Sequence, residues 1–259
     1  MDGTDSKHKT EGEKKLSARR LPLRRMVPNI VTLLAFGIGL TALRFGFEGR
    51  FETAMICVVV AIFLDAFDGR LARVLKAETP LGAQLDSLAD FVNFGIVPPI
   101  LVYLWALQET SRLGWAVVLL FAVCCALRLA RFNVDLEDAD RPAWKMRFFV
   151  GVPSPAAGGL VMFPLYLHFA GIYDLRIMPL LLLAYMVIIG LFMVSRFPTY
   201  SSKGASPTIR RDMVLPLMLL IGGTMVALLT FTWMTLGLFS MLYVLSMPFS
   251  FVAYHRLAN

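Results

Sequence analysis

The chain has 259 residues, 58% of them hydrophobic and 17% charged, with a mean hydropathy of +0.69. Soluble domains run nearer half apolar and a quarter charged, so this composition excludes a soluble enzyme, a secreted disulfide scaffold and a disordered chain. The three cysteines, two of them adjacent (Cys124 and Cys125), have neither a disulfide framework nor zinc spacing and read as buried thiols, and the net charge of +7 fits a membrane protein with basic cytoplasmic loops.

Residues 1–27 form the one strongly polar stretch, with eight basic residues and four acids. They contain no apolar core followed by a small-residue cleavage site, so they do not read as a cleaved signal peptide. Residues 14–27 interleave basic pairs with Leu16, Leu21, Leu23 and Met26. That pattern suits a segment lying on anionic lipid, and equally a basic cytoplasmic tail that fixes orientation.

From Pro28 onward the chain is a series of apolar runs near the length a bilayer requires. They predict spans at 29–46, 52–74, 82–106, 114–133, 150–171, 177–194, 213–230 and 234–254, an all-α polytopic membrane protein of about eight helices. With both termini in the cytoplasm, only Arg44, Arg50, Arg112 and Arg176 fall on the outer side, leaving 21 of the 25 Lys and Arg inside or at inner helix ends. There is no tandem period and no pair of matching broken helices of the inverted-repeat transporter type. His168 and His255 fall near span ends and read as interfacial, and residues 195–212 read as a polar cytoplasmic linker.

Ionisable groups inside spans are expensive and mark function. Four aspartates fall within 26 residues. Asp65 and Asp68, three apart, share a face at the cytoplasmic end of the second span; Asp86 and Asp90, four apart, share a face at the start of the third. The short link between these spans makes them antiparallel neighbours, so the four carboxylates converge. Without a cation they would repel one another and retain protons. Oxygen-only ligands suit Mg²⁺ or Mn²⁺ rather than zinc, and two such ions would clamp the attacking and leaving oxygens of a phosphoryl transfer. Gly69 and Gly82 leave room for a ligand beside the acids, Ala72 keeps the face uncrowded, and Arg73 offers a planar donor fork to phosphate. A cation-coupled transporter would also explain the acids, but gives no reason for Gly69, Ala72, Arg73 and Gly82.

The pattern Asp65-x-x-Asp68-Gly69-x-x-Ala72-Arg73, eight residues, Gly82, three residues, Asp86, three residues, Asp90 resembles the signature of the CDP-alcohol phosphatidyltransferases at all eight fixed positions. The resemblance implies a transmembrane catalytic domain over 28–259, with a six-helix core plus two further helices. It also implies transfer of a phosphatidyl group from a CDP-linked lipid to an alcohol, with release of CMP. By position, Asp65, Asp68, Asp86 and Asp90 would hold two Mg²⁺ or Mn²⁺ ions, and Asp90 would also act as general base. Gly69, Ala72, Arg73, Thr79 and Gly82 would face the CDP-diacylglycerol donor, and the start of the first span, with Asn29 and Thr32, would read its cytidine. A homodimer in a bacterial inner membrane, with the active site toward the cytoplasm and no nucleic-acid partner, is implied as well.

The acceptor is read from other segments. Residues 86–95, residues 127–133 (LRLARFN) and residues 149–158 (FVGVPSPAAG) resemble the phosphatidylserine synthase branch, which implies serine. Arg128 and Arg131, three apart, would suit serine's carboxylate or the donor phosphate, and positive-inside anchoring explains them equally well. Asn93 follows Asp90 by three; Asn133 and Ser154 lie in the matching segments, though residues 151–159 also suit small-residue helix packing. Glycerol 3-phosphate, choline and inositol phosphate remain as other acceptors.

Overall fold

The computed structural model describes residues 26–110, 112–137, 148–200 and 211–258. Nearly all of the basic N-terminal segment, and residues 201–210 of the polar linker, lie outside the described residues, as does the side chain of His255.

Helix α1 (Val27–Phe47) starts with Pro28 in its first turn, where a missing N–H costs nothing, and ends before Gly49, whose φ of +73° needs a residue without a β-carbon. Helix α2 (Phe51–Val74) runs back alongside it. Small residues make the close approach possible: Ala35 and Ala42 on α1, Ala54 and Ala61 on α2 are all buried. Helix α3 (Pro80–Asp90) has Thr79 as its N-cap, whose hydroxyl accepts from the Gly82 N–H at 3.0 Å, with Pro80 pre-set for the first helical position.

Beyond Asp90 the same helix continues to Thr110 through a π-helical turn (Phe91–Ile96), helix α4 (Val97–Val102) and a second π-helical turn (Tyr103–Leu107). Pro98 and Pro99 cannot donate to the carbonyls four residues before them, and the π turn absorbs that interruption.

Helix α5 (Arg112–Glu137) returns through the centre of the molecule. Strands β1 (Phe148–Val150) and β2 (Pro198–Tyr200) pair antiparallel, with Phe148 opposite Tyr200, and Gly151 beyond β1 takes a φ of +79°. The run expected as one span at 150–171 is therefore divided: ribbon, then α6 (Ser154–Val161), then α7 (Phe163–Phe169), with the break at Met162 before Pro164. Helix α8 (Pro179–Val194) packs along α5, and α9 (Val214–Thr230) and α10 (Thr232–Ala258) follow. Among the described residues the fold is thus helical apart from one three-residue ribbon.

The core sits where α2, α4, α5, α6 and α8 meet, around Met55, Leu101, Phe121, Cys125, Val161 and Met186. Outward faces stay apolar: Leu33, Leu34, Val123, Leu180, Leu219 and Leu220 are all exposed. Four helices, Val27–Phe47, Pro80–Thr110, Arg112–Val134 and Thr232–Ser250, are long and apolar enough to cross a bilayer. Exposed Leu33, Leu34 and Val123 on helices of that length form a lipid-facing surface, and the protein is integral to the membrane. At the end of the molecule remote from the ribbon, Arg176 donates to both oxygens of Asp174 and holds that carboxyl down to about 2, while its guanidinium sits over Trp105.

Candidate active site

The last two turns of α2 and the first turns of α3 lie at the ribbon end. Asp65, Asp68 and Asp86 each direct a carboxylate oxygen to one point, all within 4.8 Å of one another. Asp90, one turn beyond Asp86, is within side-chain hydrogen-bonding reach of Asp65. Asp68 is 3% exposed; both of its oxygens, and Oδ1 of Asp65, have no hydrogen-bond partner among the described residues. Thr32, beside Asp68, gives its hydroxyl proton to the Pro28 carbonyl at 3.1 Å instead.

Like charges at that separation repel by about 3 kcal/mol per pair at an effective dielectric of about 20. Buried carboxylate oxygens without donors add a desolvation cost. A hard divalent cation removes both penalties at once, and an oxygen-only cluster with three lone oxygens aimed inward fits one well.

The other expected donor-side residues gather around this cluster. A β-carbon on Gly82 would stand 2.7 Å from Asn29 Oδ1 and 3.0 Å from Thr79 Oγ1, so Asn29, Thr79 and Gly82 form one corner. Gly69 opens onto free space, with only an Arg73 terminal nitrogen within 4 Å of the position a β-carbon would take. Arg73 is exposed and folds back so that Nε donates to the Gly69 carbonyl at 3.0 Å. Ala72, one turn after Asp68, is half-buried.

The acceptor-side candidates separate. Arg128, 7% exposed, donates to Ser154 Oγ at 2.8 Å, lies over the Phe132 ring at 5.2 Å and is an electrostatic neighbour of Asp90. Arg131 instead donates to the Val194 carbonyl at 2.6 Å, at the C-terminus of α8, where a cation complements the helix end. Asn133 pairs with Ser87, its amide nitrogen 3.1 Å from Ser87 Oγ. Asn93 is 2% exposed and lies against α1, where a β-carbon on Gly39 would collide with its Oδ1; neither amide atom has a partner among the described residues. The π turn, which holds more residues than an α turn, places Asn93 there, and an i, i+3 rule does not anticipate it. The sequence did not single out Ser87 or Gly39; of these Ser87 carried a signal, as a hydroxyl beside Asp86 on a polar helix start.

The fold and this cluster define a helical membrane protein with a convergent carboxylate centre and an adjoining arginine. The chain belongs to the CDP-alcohol phosphatidyltransferase family, which matches residues 25–195, and residues 212–248 match a second family described as CDP-alcohol phosphatidyltransferase 2. It is 45% identical over 139 residues to a CDP-diacylglycerol–serine O-phosphatidyltransferase of Mycobacterium leprae, covering 54% of this chain and 46% of that protein. It is 33% identical over 181 residues to the enzyme of that name from Helicobacter pylori, covering 68% and 73%. With the Bacillus subtilis enzyme it shares 35% over 132 residues, covering 51% and 71%. The chain spans about half the length of the mycobacterial relatives it matches.

Proposed function

We propose that the protein transfers the phosphatidyl group of CDP-diacylglycerol to L-serine, giving phosphatidylserine and CMP. The observation that carries this reading is the convergence of Asp65, Asp68 and Asp86 from two neighbouring helices, with Asp90 against Asp65 and Arg128 beside Asp90. The names of the relatives support serine as the acceptor.

In this reading Asp65, Asp68, Asp86 and Asp90 would hold two divalent ions, Mg²⁺ or Mn²⁺. Bound cations would neutralise the donor diphosphate, which otherwise repels an incoming oxygen. Asn29 and Thr32, at the start of α1, would read the cytidine, while Gly69, Ala72, Arg73, Thr79 and Gly82 would face the rest of the donor, with space and a cation for the diphosphate. Arg128, oriented by Ser154, would pair with the serine carboxylate, with Asn93, Arg131 and Asn133 as further acceptor-side groups. Asp90 takes the proton from the serine hydroxyl as its oxygen bonds to phosphorus. The bond from phosphorus to the CMP oxygen breaks, and CMP leaves.

The same reading includes eight spans with both termini and the site toward the cytoplasm of a bacterial inner membrane. The placement of basic residues supports it. It also includes a homodimer, for which α9, with none of its residues buried, has surface to spare.

Purified protein given CDP-diacylglycerol, Mg²⁺ or Mn²⁺ and labelled serine is expected to yield labelled phosphatidylserine and CMP. Incorporation of glycerol 3-phosphate, choline or inositol phosphate in place of serine would reassign the acceptor. Ion flux in vesicles without nucleotide dependence would replace the enzyme reading with a transporter.

A further inference from the structure

Beside the carboxylate cluster an apolar groove of about 270 Å³ lies between α2, α6 and α10. Val59 and Ile62 line it from α2, Pro155 and Gly159 from α6, and Leu236 and Phe239 from α10. Both inner walls begin at the site. Ile62 precedes Asp65 by three residues, and Pro155 follows Ser154, the hydrogen-bond partner of Arg128. Along α2, Ile62 and Val59 lie about 4.5 and 9 Å from Asp65 at about 1.5 Å per residue, on the way from the helix end into the hydrocarbon depth. Ser240, which also lines the groove, turns its hydroxyl to the Leu236 carbonyl at 2.9 Å, so it adds no free donor to the α10 wall.

Helix α10 leaves gaps against the core along its middle. On the other side of Leu160 a second apolar cavity of about 100 Å³ separates α10 from α6 and α8. The helix is held at both ends: against β2 and through buried Met247 at the ribbon end, and at the far end where Trp233 donates to Glu52 Oε1 at 3.1 Å and stacks on Tyr166. An empty apolar groove forfeits dispersion contacts, which hydrocarbon would restore.

We infer that this groove holds an acyl chain of the CDP-linked donor, with α10 as the wall that sets which chains fit. The inference rests on the reading of the protein as a CDP-diacylglycerol-using transferase. A diphosphate held at the aspartates brings the glycerol and its tails to the groove's mouth. The groove then leads the tail into the bilayer while the headgroup stays among the carboxylates. The third wall, Leu236 and Phe239, carries none of the aspartates, so a change there alters the groove without touching the carboxylate cluster.

The test compares CDP-dioleoylglycerol with CDP-dihexanoylglycerol in the full-length protein. A β-carbon on Gly159 meets nothing within 4 Å, so the side chain of Gly159→Leu starts in open space and narrows the groove. It is expected to raise KM for the dioleoyl donor about tenfold, the worth of about two buried methylenes, with KM for the dihexanoyl donor within about twofold. Phe239→Ala is expected to shift preference toward bulkier chains. Equal loss on both donors, or no change on either, overturns the inference. If the unaltered protein consumes neither donor, the transferase reading fails and the inference falls with it. A photoreactive diazirine on the donor tail is expected to label α10 and to be competed off by unlabelled donor. Equal labelling from a diazirine-tailed phosphatidylethanolamine, undiminished by donor, would mean a bilayer lipid occupies the groove and overturns the proposal.

Discussion

Asp90 differs from the other three aspartates in its neighbours. It faces Asp65 and Asp86 and also lies in the field of Arg128, while Asp65, Asp68 and Asp86 bring their oxygens within 4.8 Å of one another. That difference suits a base role for Asp90 in addition to its share in holding the ions. Asp90→Asn is expected to lower kcat by about 10²–10⁴, the usual worth of a general base, while CDP-diacylglycerol still protects the chain from proteolysis. Full turnover in that variant would remove Asp90 from the role. Arg128→Gln should raise KM for serine at least about tenfold with the donor KM little changed, since a charge-assisted contact to a carboxylate is worth about 1.5–3 kcal/mol. Equal changes in both constants would place Arg128 in structural support. The aspartates, glycines and Arg73 were legible in the sequence because their spacing is local and helical. The different fates of Arg128 and Arg131 were not. Three residues apart on one helix, they part company because Ser154 and the Val194 carbonyl arrive from other elements.

At the scale of elements, the two helices carrying the aspartates are held by features of opposite kind. Thr79 caps α3 through its hydroxyl, so Thr79→Ala should cost about 1 kcal/mol of stability, read as a lower melting temperature. Gly39 is a notch that accepts Asn93 where α1 crosses the π turn. Gly39→Ala forces that amide aside in a packed interior, and a loss of about 1–3 kcal/mol is expected. An unchanged melting temperature would mean the π turn can shift to make room. The helix positions themselves followed from apolar runs of bilayer length. The interruptions did not: the π turns, the break at Met162 and the ribbon between Phe148–Val150 and Pro198–Tyr200 depend on prolines and on partners far along the chain.

Taken whole, the molecule gathers negative charge at one end of an apolar bundle, and three buried oxygens there have no donors among the described residues. Removing divalent ions with a chelator is therefore expected to abolish turnover, and Mg²⁺ or Mn²⁺ to restore it. The same ions should raise the melting temperature, since a ligand at about 100 times its Kd stabilises the folded state by about 2.7 kcal/mol. Asp68→Asn should weaken that stabilisation, a readout independent of activity.

By itself the sequence determined the membrane class, the helix positions outside 150–171 and the four aspartates with their glycines. Those follow from composition, run length and spacings of three and four, all of which act within a single helix or across one short link. Only the tertiary structure decided which arginine stands beside Asp90, where the Asn93 amide is buried and that α10 closes an apolar groove next to the site. Each of those depends on side chains from elements tens to more than a hundred residues apart meeting in space, and no local period encodes such a meeting.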